Sequence, residues 1–286
     1  MRSILALAAA TLMTAGVLAQ GQGVFRAGVE VVTVNVSVQK GGMPVAHLGA
    51  ADFELKDNGV TQAISSLTFE TLPIDVTLLL DASGSVEGAR LERLKAGVIE
   101  TAQLLNATDR LRLIAVQHAL RQVFPFQAGA TLPNVSALSA GGGTSLFDGL
   151  SAAMMRRSEL DRRHLIIAYT DGLDTISSLD YPTMLATAGR ADAVVHLVIP
   201  NVLSRGRSVL PALGEIAART GGQLFTMQID APISEDFTRA VSEVRRSYVL
   251  RYTPHGVPVS GWHDITVSVK NGEGYVVRAR KGWGGN

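Results

Sequence analysis

Val76-Thr77-Leu78-Leu79-Leu80-Asp81-Ala82-Ser83-Gly84-Ser85 joins a continuous apolar run to a short loop bearing one carboxylate and two hydroxyls. A run without alternation is what a strand buried on both faces requires, and such strands belong to parallel sheets covered by helices. Leu91, Leu94, Val98, Ala102 and Leu105 then recur at three- and four-residue steps, which predicts a helix. The hydroxyl-rich loop therefore sits where a strand ends and a helix begins, the edge at which open α/β sheets bind ligands.

The same alternation continues downstream. Strands are predicted at Leu111–Val116, Leu165–Tyr169, Val194–Ile199 and Leu224–Met227, with a short hairpin partner at Val123-Phe124. Helices are predicted at Leu146–Met155, Tyr181–Ala191, Leu210–Thr220 and Ser234–Arg246. Asp180 and Ser234 are the expected caps, and Gly221-Gly222 the stop after Thr220. This predicts a doubly wound, mostly parallel, Rossmann-like α/β sheet over 74–247.

Both flanks read as β. In residues 28–38 Val32, Val34, Val36 and Val38 share one face, so a strand with a strongly apolar side is expected. Asp52–Lys56 is a strand entering a tight turn at Asn58-Gly59, Ala63–Phe69 a returning strand, and 24–70 shows no helix signal. Tyr248–Tyr252, Asp264–Val269 and Tyr275–Ala279 are strands separated by Pro and Gly turns. Neither segment, 24–70 or 248–283, is long enough for a comfortable core of its own. They are expected to combine into one accessory β-sandwich-like domain, with the α/β domain inserted between them.

At 286 residues the chain has room for one large domain or two ordinary ones. With 47% hydrophobic and 18% charged residues it is neither disordered nor collagen-like. A net charge of +1 offers no electrostatic footprint for nucleic acid. The absence of cysteine removes disulfide frameworks, thiolate metal sites and cysteine nucleophiles together. At the N-terminus, Arg2 precedes an apolar run from Ile4 to Leu18, with small or apolar residues before Gln20. That is the pattern of a signal peptide cut after Ala19, and it predicts a secreted or periplasmic protein. The run is shorter than the roughly 20 residues a spanning helix needs.

Two further loops resemble the first in chemistry. Gly141-Gly142-Gly143-Thr144-Ser145 precedes a predicted helix, and Thr170-Asp171-Gly172 follows a predicted strand. Oxygen donors with few carboxylates and several hydroxyls suit a small, hard cation, Mg²⁺ before Mn²⁺ or Ca²⁺. Two carboxylates balance the charge of such an ion. An open coordination position would then favour a carboxylate from another molecule.

Asp81-x-Ser83-x-Ser85, Thr144 and Asp171, in that order on three successive loops, resemble the metal-ion-dependent adhesion site of von Willebrand factor A domains. The resemblance implies that Ser83, Ser85 and Thr144 supply hydroxyl ligands and that Asp81 and Asp171 bind directly or through water. It implies a fold and a metal site, with no catalytic activity and no agreed ligand; the open coordination position is what predicts a protein partner offering an Asp or Glu carboxylate. Ala51–Gln62, Thr220–Phe225, Tyr248–Pro254 and Val277–Arg280 resemble the flanks found in secreted bacterial von Willebrand A-related proteins.

Plainer readings compete. Asp81 and its serines could cap the following helix; Ser145 and Asp148 are expected to cap the helix at Leu146, and Asp174 to be a solvated loop residue. A hydrolase or phosphoryl-transfer enzyme using Asp81 and the same cation is the alternative function. Against it, no G-x-S-x-G elbow and no G-x-x-x-x-G-K loop exist, and none of the three loops carries a His or Glu. The six histidines show no close pairing and are expected at the surface or sheet edges rather than on zinc. Trp262 and Trp283 are expected to pack in or beside the terminal strands.

Overall fold

The structure is a computed structural model that describes residues 31–129, 131–155, 159, 161–200, 209–227, 231–258 and 260–285. The predicted signal peptide, 1–19, lies outside the described residues. The described residues open with β1 (Val32–Lys40), β2 (Met43–Pro44), β3 (Phe53–Asp57), β4 (Val60–Gln62) and β5 (Ile64–Phe69). They continue through β6 (Ile74–Asp81), α1 (Ala89–Gln103), β7 (Arg110–Val116), β8 (Leu120–Ala128), α2 (Leu146–Met154) and β9 (Arg163–Tyr169). Next come α3 (Tyr181–Arg190), β10 (Ala193–Pro200), α4 (Leu210–Thr220), β11 (Leu224–Met227) and α5 (Ile233–Arg245). They close with β12 (Tyr248–Tyr252), β13 (Gly261–Val269), β14 (Tyr275–Ala279) and β15 (Gly282–Gly285).

The central sheet has the order β11-β10-β9-β6-β7-β8, parallel throughout except for β8. All eight residues of β6 are buried, the reason its sequence shows no alternation. Leu78 and Leu80 join Leu94 and Val98 of α1 and Phe237 and Val241 of α5 in the core on one face. Leu79 joins Leu150 of α2, Met184 of α3 and Leu213 of α4 on the other. Each such side chain, fully buried, contributes on the order of 1.5–3 kcal/mol.

The two chain ends build the accessory domain together. One sheet has the order β14-β1-β12-β5, with β2 on β1; the other is β15-β13-β3-β4. Strand β1 lies antiparallel between β12 and β14, with Val36 opposite Tyr248 on one side and Ala279 on the other. Val32, Val34, Val36 and Val38 face a core shared with Leu55, Tyr248, Tyr252 and Trp283. Within it the buried Asp57 carboxylate accepts from Tyr252 Oη at 2.7 Å and Trp283 Nε1 at 3.4 Å, and hydrogen-bonds His263 Nδ1 at 2.8 Å.

This domain is fastened to the central one beside α4 and α5. Arg278 of β14 donates to Gln223 Oε1 at 2.7 Å and pairs with Glu243 of α5. The buried Arg280 donates to Gly189 O of α3 at 2.8 Å, and Lys281 N to Ala218 O at 3.3 Å. Gly221 takes φ +84°, and a Cβ there would stand 2.9 Å from Arg280 N. Glycine both ends α4 and admits the C-terminal strand.

Several expectations need correction. Ser234 does not cap α5: the cap is Pro232, and Ser234 lies in the first turn. Strand β8 runs nine residues, well beyond Val123-Phe124, and β15 was not foreseen. A single 3-10 turn at Ala50–Asp52 interrupts a segment without helix signal. His164, His196 and His263 are buried rather than at the surface, hydrogen-bonding Thr77, Gln223 and Asp57 in turn. Trp283 is buried in the accessory core, whereas Trp262 is partly exposed beneath Arg219. Among the described residues no helix is long and apolar enough to cross a membrane.

Candidate metal-binding site

The strand order reverses direction at β6. The chain passes from β6 to β7 on one side and later places β9 on the other, with Leu80 paired to Tyr169. Such a switch point opens a crevice beyond the carboxyl ends of the two strands, because their following connections leave in opposite directions. Asp81 ends β6, and Thr170-Asp171 follows β9.

Asp81 is fully buried. Its Oδ1 accepts from Ser83 N at 3.0 Å and its Oδ2 from Thr170 Oγ1 at 3.2 Å. Burial pushes the Asp81 carboxyl above the ordinary carboxylate range and the charge of Asp171 adds to this, against the hydrogen bonds from Ser83 and Thr170. In front of it runs a chain of oxygens: Ser83 Oγ lies 3.1 Å from Ser85 Oγ, which donates to Asp171 Oδ2 at 3.0 Å. The first and third loops are thereby joined by side chains of the motif itself.

The second loop is held by backbone. Gly84 N donates to Gly142 O at 3.0 Å and Gly141 N to Ala82 O at 2.8 Å. The Gln117 amide bridges Ala82 O and Ser139 O at 2.9 and 2.7 Å. Thr144 is buried, and its N–H donates to Thr175 Oγ1 at 2.8 Å. Its carbonyl accepts from Thr175 N at 2.9 Å and Ile176 N at 3.2 Å. The fold thus brings Asp81, Ser83, Ser85, Thr144 and Asp171 onto three adjoining loops.

The capping explanations fail. Helix α1 begins after Gly88 with no side-chain cap, and the Asp81 carboxylate is engaged elsewhere. Ser145 stands at the cap position of α2, but its hydroxyl donates to Gln117 O at 2.7 Å. Asp148 accepts from Ser178 N and Leu179 N at 3.0 and 2.9 Å. The cap comes from Asp174, which is not a free loop residue: its Oδ2 accepts from Phe147 N at 2.9 Å and its Oδ1 from Ser177 N at 3.0 Å.

Thr170, Thr175 and Arg90 were not singled out from sequence. Thr170 could have been, since it directly precedes Asp171. Arg90 donates to Ser85 O at 2.9 Å. His118, in the turn between β7 and β8, lies against Gly142, where a Cβ would stand 2.9 Å from its Nδ1. A histidine therefore borders the site from a fourth loop, which weakens one sequence argument against catalysis.

Among the described residues no three His, Cys, Asp or Glu side chains converge as a metal cluster, so any cation here would depend on hydroxyls as well as carboxylates. Ser85 Oγ, at contact distance from both Ser83 Oγ and Asp171 Oδ2, completes a run of oxygens that fits a small hard ion.

The profile of the von Willebrand factor type A domain matches residues 75–238. A Synechocystis sp. protein, uncharacterized protein sll0103, is 32% identical over 139 residues, which is 42% of this chain and 33% of that one. The chain thus matches about a third of that relative's length. A solved von Willebrand factor type A structure from Catenulispora acidiphila superposes with a TM-score of 0.50 at 13% identity, over 91% of this chain and 75% of that one. The ArnB paralog VWA2 from Sulfolobus acidocaldarius gives a TM-score of 0.48 at 12% identity, over 87% and 74% of the two chains.

Proposed function

The chain belongs to the von Willebrand factor type A domain family, and we propose that it is an extracytoplasmic protein-binding module that captures an acidic side chain of its partner through a divalent cation. The observation that carries this reading is the oxygen chain from Ser83 Oγ through Ser85 Oγ to Asp171 Oδ2, at 3.1 and 3.0 Å, in front of the buried Asp81. Ser83, Ser85, Thr144, Asp171 and Asp81, the carboxylates directly or through water, would hold the ion, and Asp81 also fixes the first loop through Ser83 N. Mg²⁺ is favoured, with Mn²⁺ and Ca²⁺ as substitutes. Bound there, the ion supplies an electrophilic position that a carboxylate oxygen can fill. Secretion follows from the signal peptide read at 1–19 and is part of the same proposal.

Thermal melting in chelator, then in Mg²⁺, Mn²⁺ and Ca²⁺, tests it. An ion that binds only the folded chain, at a hundred times its dissociation constant, stabilises by about 2.7 kcal/mol. The rise is expected in the natural chain and absent in Asp171→Ala. N-acetyl-aspartyl amide, as a soluble carboxylate probe, should bind in Mg²⁺ and not in chelator. Equal melting temperatures in metal and chelator would refute the reading.

The position of His118 beside Gly142 favours one second reading, metal-dependent hydrolysis or phosphoryl transfer at Asp81. It requires turnover of a phosphate ester such as p-nitrophenyl phosphate in Mg²⁺, lost in His118→Ala. No turnover is expected, because capture of a carboxylate breaks no bond.

A further inference from the structure

We propose that Thr175 is a positioning residue that fixes Thr144 relative to Asp171, so that the second and third loops of the site move as one rigid piece. The inference rests on the metal-capture reading above and names a residue outside the five motif positions.

Three observations carry it. First, Thr175 engages both backbone groups of Thr144. Its Oγ1 accepts from Thr144 N at 2.8 Å and donates to Thr144 O at 3.3 Å, and its own N–H donates to the same carbonyl at 2.9 Å. The clamp uses the N–H and C=O of Thr144 and leaves its hydroxyl out.

Second, the clamp continues in both directions along the chain. Asp174 and Ser177 cap α2 through Phe147 N, at 2.9 and 3.0 Å, and Ser177 Oγ also accepts from Asp148 N at 3.3 Å. Asp148 answers from the helix, accepting from Ser178 N and Leu179 N. The start of α2, which Thr144 directly precedes by way of Ser145, and the loop from Asp171 to Leu179 are thus stitched reciprocally. Third, the approach is close enough to exclude a side chain: a Cβ on Gly143 would stand 2.9 Å from Thr175 Oγ1.

By contrast, the first loop meets the third through Ser85 Oγ to Asp171 Oδ2 and Thr170 Oγ1 to Asp81 Oδ2, and both bonds end on motif carboxylates. An arriving cation would compete for those oxygens. The rigid pair of loops would hold still while Ser83 and Ser85 adjust. Groups that orient ligands without touching the ion commonly change its affinity roughly 10–100-fold when removed.

The test is calorimetric titration with Mn²⁺ of the natural chain, Asp171→Ala, Thr175→Val and Thr175→Ser, each also melted in chelator. Valine keeps the shape of threonine and loses the acceptor for Thr144 N–H. Thr175→Val is expected to bind Mn²⁺ roughly 10–100-fold more weakly, and Thr175→Ser, which keeps the oxygen, to bind as the natural chain does. A merely structural Thr175 would lower the melting temperature in chelator and leave the dissociation constant of the folded protein unchanged; that result overturns the proposal.

Binding by the natural chain that Asp171→Ala abolishes establishes the site independently of Thr175. No binding by the natural chain overturns the metal reading itself, and the positioning role with it. Should Thr175→Val fail to fold in chelator, Asp148→Ala replaces it from the other side of the clamp: weakened Mn²⁺ binding supports the proposal, and unchanged binding overturns it.

Discussion

His196 shows how one side chain can tie stability to pH. It is fully buried, its Nδ1 accepts from Gln223 N at 3.1 Å, and burial, then the charge of Arg278, pushes its pKa down to about 3 from the ordinary 6.5. An unfolded chain takes up the proton near pH 6.5 while the folded chain resists it, so stability is complete above that pH and falls as acid is added toward pH 3. By pH 5 the loss from this group is about 2 kcal/mol. Glu243, 3.8 Å away, acts with the opposite sign: burial raises its carboxyl, so the folded state holds that proton more readily than the unfolded one. His196→Asn, whose amide oxygen can stand in for Nδ1, isolates the histidine. Urea denaturation from pH 7 to 5 should show a shallower loss in this variant than in the natural chain. Equal slopes would show that His196 does not titrate on unfolding.

At the scale of elements, the start of α2 is stabilised by a loop that sequence proximity does not reveal. Asp174→Ala removes one of two acceptors for Phe147 N, Ser177 Oγ being the other, and should cost up to about 1 kcal/mol in chelator, as weakening of a helix cap does, measured by denaturant unfolding. From sequence Asp174 reads as a solvated loop residue, because its partner stands 27 positions earlier. The elements themselves were far more legible. Helix α4 and strands β11, β12 and β14 keep their predicted bounds, since glycine, proline or a clear change of period marks each end. The five motif residues stand out in the sequence for a similar reason: all lie at or just beyond strand ends or just before a helix, where oxygen side chains are conspicuous against apolar runs. What escaped is what depends on distant pairing. Strand β8 is longer than its apolar pair suggests because β7 supplies hydrogen bonds along its length, and β15, rich in glycine, forms by pairing with β13. The buried histidines are not legible locally because burial of an imidazole depends on partners such as Asp57 and Thr77 that no local pattern announces.

Across the whole molecule, the accessory domain needs both ends of the chain. Removing residues after Arg246 would leave β1 with only β2 beside its last two residues, and would expose the row Val32, Val34, Val36 and Val38. The truncated chain should be cut by protease within 32–40 under conditions that leave the full chain intact, and should aggregate, as exposed apolar edge strands do. Survival of that segment would mean that the central domain alone shelters it. The pairing of β1 with strands more than 200 residues downstream also sets an order of events in time. Contacts so distant along the chain close slowly, because the intervening segment must be gathered before they yield any stabilisation. Strand β1 therefore finds its place only after β12 and β14 have been made, and until then its valine-rich face is open to wrong partners.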